Sequence, residues 1–135
     1  MRMTKRYKFG RWSIKLPVTW QADKKAYCVT FRAANSVGTL QIMTCRHDSK
    51  DVTYNDLLGL TEDKLIEGVE LQNIICGEFT GIGISYLIDG NYWRKWWLWR
   101  DTVLLYVTYN CLAEEHLVEM DVVDQMMKSL KYYPF

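Results

Sequence analysis

Three short clusters in this sequence hold side chains able to do chemistry, and each is weighed against a plainer role. In Cys45-Arg46-His47-Asp48 a thiol, an imidazole and a carboxylate lie close together. A structural zinc site takes four donors in spaced groups. Here the remaining donors, Cys76, Cys111 and His116, are scattered, so the segment reads as a solvated loop. Cysteine nucleophiles need a base beside the thiol, and a chain with two histidines offers few pairings. His116 follows Glu114 and Glu115 at an acidic helix start and reads as a surface residue. Glu114, Glu115 and Glu119 form a carboxylate group suited to a metal or a basic partner, with a solvated first helical turn as the simpler account. Gly77-x-x-x-Gly81-x-Gly83 lacks the Lys-Ser/Thr of a phosphate loop and falls between strands. No catalytic residue, cofactor or metal is expected.

Basic residues beside aromatic ones, Trp93-Arg94-Lys95-Trp96 and Trp99-Arg100, have the types that stack single-stranded nucleic acid. A net charge of +1 speaks against that use. Trp and Arg are also the residues enriched at protein-binding hot spots. Core packing is the expectation for Trp93, Trp97 and Trp99. Trp96 alternates with Arg94 and Arg100, so its ring is expected near a surface. Arg94, Trp96 and Arg100 are therefore the expected partner-binding anchors, and Glu114, Glu115 and Glu119 a second patch for a basic partner.

These side chains must be positioned by residues 90–112, which hold four of the six tryptophans and read as two strands joined at Arg100-Asp101-Thr102. Apolar groups fall in both alternating sets, which places the hairpin in the middle of a sheet covered on both faces. Residues 6–16 read as a first strand with a bulge at Gly10, ended by Pro17, with Trp20 packed back on the core. Asp23-Lys24-Lys25 reads as a turn. Residues 27–31 and 37–45 read as the second and third strands. An amphipathic helix is expected over residues 54–67, capped by Thr53 and stopped by Gly68. Two strands over residues 71–88 lead through Asp89-Gly90-Asn91 into the aromatic hairpin. A last helix opens at Glu114 and Glu115, buries Met120, Val123, Met127 and Leu130, and runs into the aromatic tail Tyr132-Tyr133-Pro134-Phe135. The resulting order βββαββββα predicts an α+β domain over residues 1–135, a largely antiparallel sheet of about seven strands flanked by two main helices.

At 49% hydrophobic and 24% charged, the composition is globular. Charge is unevenly spread. Residues 1–32 carry nine Lys/Arg and one acid, whereas residues 112–124 carry five acids and no Lys/Arg. That pattern fits acidic helices packed on a sheet with basic outer positions. No run reaches the roughly 18 apolar residues of a membrane helix, and the basic start lacks the apolar stretch of a signal peptide. A cytoplasmic protein with four reduced cysteines, and with no nucleic acid or membrane partner, is the expectation.

The strand running into Leu16-Pro17-x-x-Trp20, the element order, and the close on Met126-Met127-Lys128-Ser129-Leu130-Lys131 together resemble the PsbP/Mog1/DcrB-like domains. That resemblance implies a sandwich of curved antiparallel sheet and helices, and binding to another macromolecule in place of catalysis. The chain also looks like small cytoplasmic proteins that neutralise bacterial toxins. The expected function is a non-enzymatic protein-binding domain, an immunity protein that masks its partner sterically. A chaperone for a secreted effector, or a small-ligand protein or enzyme with a pocket between sheet and helix, are the alternatives.

Overall fold

A computed structural model describes residues 3–35, 37–46 and 71–134. The elements run β1 (Thr4–Phe9), β2 (Trp12–Pro17), β3 (Trp20–Lys25), β4 (Cys28–Ala33), β5 (Gly38–Arg46), β6 (Gln72–Cys76), β7 (Phe79–Ile88), β8 (Asn91–Arg100), β9 (Val103–Leu112), α1 (Met120–Lys128) and β10 (Lys131–Tyr132). A 3-10 turn, Ala113–Glu115, precedes α1. The helix expected over residues 54–67 lies outside the described residues.

The strands form two sheets, one of order β1-β2-β10 and one of order β3-β4-β5-β9-β8-β7-β6. Every pairing among the described residues is antiparallel. Strand β9 is the middle of the larger sheet with β8 beside it, so the tryptophan-rich hairpin is indeed interior. Its entry turn, Asp89-Gly90, has positive φ at both residues, the backbone a tight two-residue hairpin needs.

Two expectations near the N-terminus are corrected. Gly10 is not a bulge in one long strand. With φ +58° it forms, with Arg11, a two-residue turn that pairs Phe9 with Trp12. Asp23-Lys24-Lys25 is not a turn but the outer half of the edge strand β3, where charges discourage pairing with another chain. The turn lies one step further on, at Ala26 with φ +50°.

The main core fills the space between the two sheets and α1. Even-numbered β2 residues Trp12, Ile14 and Leu16 meet Val29, Phe31, Leu40 and Ile42, and α1 adds Val123, Met126 and Met127. Trp12 clasps the sheets together, its indole N–H donating to Thr44 Oγ1 of β5 at 2.8 Å. The opposite face of the large sheet has its own smaller cluster of Ile82, Ile84, Trp97 and Leu104. Both sides of the hairpin are thus packed, as the two-sided alternation predicts.

The tail packs back as expected: β10 pairs with β2 through Lys131–Ser13 and Tyr132–Trp12. Arg11 donates to Tyr132 Oη, Thr102 Oγ1 and the Tyr133 carbonyl, while Arg100 lies over the opposite end of the same network, 5.3 Å from the Tyr132 ring.

Candidate functional site

Register decides which face each expected anchor takes. Trp96 pairs with Val107 and Gly83, on the face that looks into the main core. Its ring is 1% exposed, so the expectation that Trp96 lies near a surface is corrected. Arg94 and Arg100 share that face but do not mark it as open. Arg94 stacks its guanidinium 4.6 Å from the Trp96 ring and pairs with Asp124 of α1 at 2.8 Å, letting its stem cover apolar surface while its charge is matched. Arg100 ends the strand, exposed, and donates to the Glu78 carbonyl. The arginines therefore close the rim of the core, and Trp96 lies beneath one of them.

The acidic trio also divides. Glu114 is exposed and Glu115 half-buried on the 3-10 turn, but Glu119 is 5% exposed and stands apart from a surface patch. The physical reason is Tyr109, whose hydroxyl is carried into the core from β9 and donates to Glu119 Oε1 at 2.8 Å. The Gly38 backbone N–H adds a second bond to the same carboxylate. Burial raises the Glu119 pKa above its ordinary value, the two hydrogen bonds offset this in part, and Glu115 adds to the rise.

That shift fixes a sign. A carboxyl whose folded pKa is raised favours folding most below the unfolded value near 4.5, and the contribution fades as pH rises through the folded pKa. Wild-type stability relative to E119Q should therefore improve as pH falls from neutral toward 4.5. Parallel urea-midpoint profiles for the two proteins would show that Glu119 titrates as in the unfolded chain.

The other clusters separate as well. His47 and Asp48 lie outside the described residues. Cys45 is half-buried with a thiol pKa raised by burial, and Cys76, buried, is pushed up to about 11 chiefly by desolvation, which Arg94 partly opposes. Such thiols are poor nucleophiles. All four cysteines are free. His116 is half-buried, its Nδ1 2.8 Å from the Ala113 carbonyl and its ring 5.2 Å from that of Tyr92. Among the described residues no group of three or more His, Cys, Asp or Glu is placed to hold a metal.

The opposite face of the hairpin carries the constellation that sequence reasoning passed over. Trp93, Lys95, Trp97 and Trp99 point there with Tyr86 of β7 and Tyr106 of β9. Lys95 Nζ stands 5.4 Å from the ring centroids of both Tyr86 and Trp93. Burial works against its charge, but hydrogen bonds to Tyr86 and Tyr106 outweigh this and hold its pKa above the ordinary value. Trp93, Lys95, Tyr86 and Tyr106 are all half-buried. In the rows beyond them the same face continues through Met43, Gln41 and Arg32, which are exposed. The legible signal was period two: Trp93, Lys95 and Trp97 share one alternating set, and Tyr106 falls opposite Trp97 once the two-residue turn is fixed.

No family model matches the chain, and no curated protein matches it. Solved structures do. A crystal structure from Bacteroides thetaiotaomicron aligns with a TM-score of 0.63 at 10% identity, covering 90% of this chain; the chain spans 44% of that one. LpqN, described as involved in cell envelope biogenesis of Mycobacterium tuberculosis, aligns with a TM-score of 0.61 at 13% identity over 99% of this chain and 91% of its own. The fold is shared with these two. A solution structure of cyanobacterial PsbP (CyanoP) from Synechocystis aligns with a TM-score of 0.46 at 14% identity, over 98% of this chain and 94% of that one.

Proposed function

We propose that this chain is a non-enzymatic protein-binding domain of PsbP/Mog1/DcrB-like architecture that docks an acidic partner surface on the large sheet, in the cytoplasm. The observation that carries the reading is the half-buried group Trp93, Lys95, Tyr86 and Tyr106, continued by exposed Met43, Gln41 and Arg32 on one face. Rigid aromatic rings around a fixed ammonium have the composition of an interface anchor: large contact area, little side-chain entropy left to lose, and a charge already oriented. A partner carboxylate approaching Lys95 would meet a cation whose remaining hydrogen-bonding direction is set by Tyr86 and Tyr106. A toxin-neutralising immunity protein is the specific form of this proposal, acting by covering its partner's working surface. Of the anchors expected from sequence, Arg100 and Glu114 keep exposed positions and Glu115 a half-buried one, but none of the three joins the Lys95 group.

Affinity capture followed by titration of the captured partner tests it. Trp93→Ala and Lys95→Glu should each weaken the complex by about 2 kcal/mol or more, the cost typical of a hot spot. Arg94→Ala, on the other face, should leave affinity within a few-fold. A partner that tolerates both sheet-face changes and loses affinity with Arg94→Ala binds elsewhere, and the reading fails.

A further inference from the structure

On the opposite side of the large sheet a cleft of about 520 Å³ opens between the β2–β3 turn, the end of β4 and the approach to α1. Met3, Pro17, Val18, Trp20, Val118 and Val122 supply its apolar wall, and Thr19 and Asn35 supply neutral polar groups. Glu119 also lines it and is the single charged residue among its described lining. The volume falls in the range of small-molecule sites, and its mixed polar and apolar lining suits a ligand that is itself amphipathic.

We propose that this cleft binds a primary alkylammonium group, with the ammonium against Glu119 and the hydrocarbon chain along Val18, Val118 and Val122. A carboxylate has about four acceptor positions; Tyr109 Oη and the Gly38 N–H occupy two and fix the group in place. The positions that no other described residue is seen to fill suit the three donors of an ammonium, and an apolar wall suits the chain that follows it. An anion would meet the Glu119 charge with no cation in the described lining to offset it. A neutral alcohol would gain the walls without the charge.

Glu119 itself supports the match. Its carboxyl is held above the ordinary pKa by burial and by Glu115, and an incoming cation supplies a counter-charge that the described residues around it do not. Among the described residues the titratable groups facing it are Tyr109 and Cys111 of β9 and Glu115 of the 3-10 turn, none of them cationic. Binding should therefore release a proton when it begins with Glu119 protonated, and should weaken as pH falls through the Glu119 pKa. This site lies across the sheet from Lys95, and neither proposal depends on the other.

The test uses the full chain and four probes followed by NMR titration: n-hexylammonium, n-hexanol, hexanoate and N-acetyl-lysine methylamide. Hexylammonium should give saturable shifts at Val18, Thr19 and Val118, bind at least ten-fold tighter than hexanol, and leave hexanoate without saturable shifts. E119Q should weaken hexylammonium at least ten-fold while leaving hexanol unchanged. Val122→Trp, which fills the cleft and keeps the carboxylate, should abolish binding of both. Tighter binding of hexylammonium than of the lysine amide identifies a free amine as the ligand; the reverse order identifies a lysine side chain. Absence of saturable shifts, equal affinity for hexanoate, or unchanged hexylammonium affinity in both variants would overturn the proposal.

Discussion

Trp96→Ala is expected to destabilise the protein by about 3–5 kcal/mol, the range for emptying a buried aromatic site. Trp96 is among the largest fully buried side chains and belongs to the main core beside Leu98, Val107 and Cys76. Its ring lies over Gly83, which offers no side chain to collapse into the vacancy, and across from Arg94, which would lose its stacking partner. That last loss adds roughly 0.5–1 kcal/mol for a partly shielded cation. A domain whose total stability is about 5–15 kcal/mol would be left near its unfolding threshold. Urea denaturation should show the midpoint fall with an unchanged slope. A loss below about 1 kcal/mol would mean that the ring is not packed as described.

The second large effect separates two glycines only two positions apart. A Cβ on Gly81 would be driven into the Trp97 carbonyl oxygen and toward Leu98 Cα, both backbone atoms of the neighbouring strand. Strand β7 cannot step back, because β6 pairs with it on its other side through Ile74–Gly81. Gly81→Ala should cost about 3 kcal/mol, the upper end for overpacking, because no flexible side chain can yield. Gly83 differs, since its Cβ would stand 3.6 Å from Trp96 Cδ1 and 3.7 Å from Ile74 Cγ2, ordinary contact distances. Gly83→Ala should be neutral or slightly stabilising, as it removes about 0.5–1 kcal/mol of glycine backbone entropy. Thermal unfolding of the two variants side by side decides the matter, and similar losses at both positions would refute the account.

The aromatic hairpin was readable because two signals agree there: uninterrupted alternation runs over both strands, and the break at Asp101-Thr102 is short enough to fix their register, while Asp89-Gly90 does the same for β7 against β8. Strands β1 and β2 were harder. Gly10 suits a bulge as well as a turn, and only the pairing of Phe9 with Trp12 separates the two. The orientation of β8 was misjudged for a related reason. Alternation reveals that Trp96 shares a face with Arg94 and Arg100, but not which face is the core. Arginines beside a tryptophan suggest water, yet here one of them reaches across to Asp124 and seals the ring from solvent. The cage around Lys95 is not legible in the sequence because Tyr86 and Tyr106 come from two other strands. Glu119 looked like part of an acidic surface run because its partner, Tyr109, sits ten positions away on β9 and reaches it only through the tertiary fold.

The union of β2 with β10 sets a timetable for folding. Ser13 and Trp12 find Lys131 and Tyr132 only after every strand from β3 to β9 has been made. The hairpins within β3–β5 and within β6–β9 can zip up locally as they emerge, but a contact this distant in sequence, like the pairing of β5 with β9, must await loop closure. Until the last strand docks, Ser13 and Trp12 present unpaired backbone along one edge of the small sheet. During synthesis that edge is the place where a chaperone, or a second nascent copy, would find the molecule incomplete.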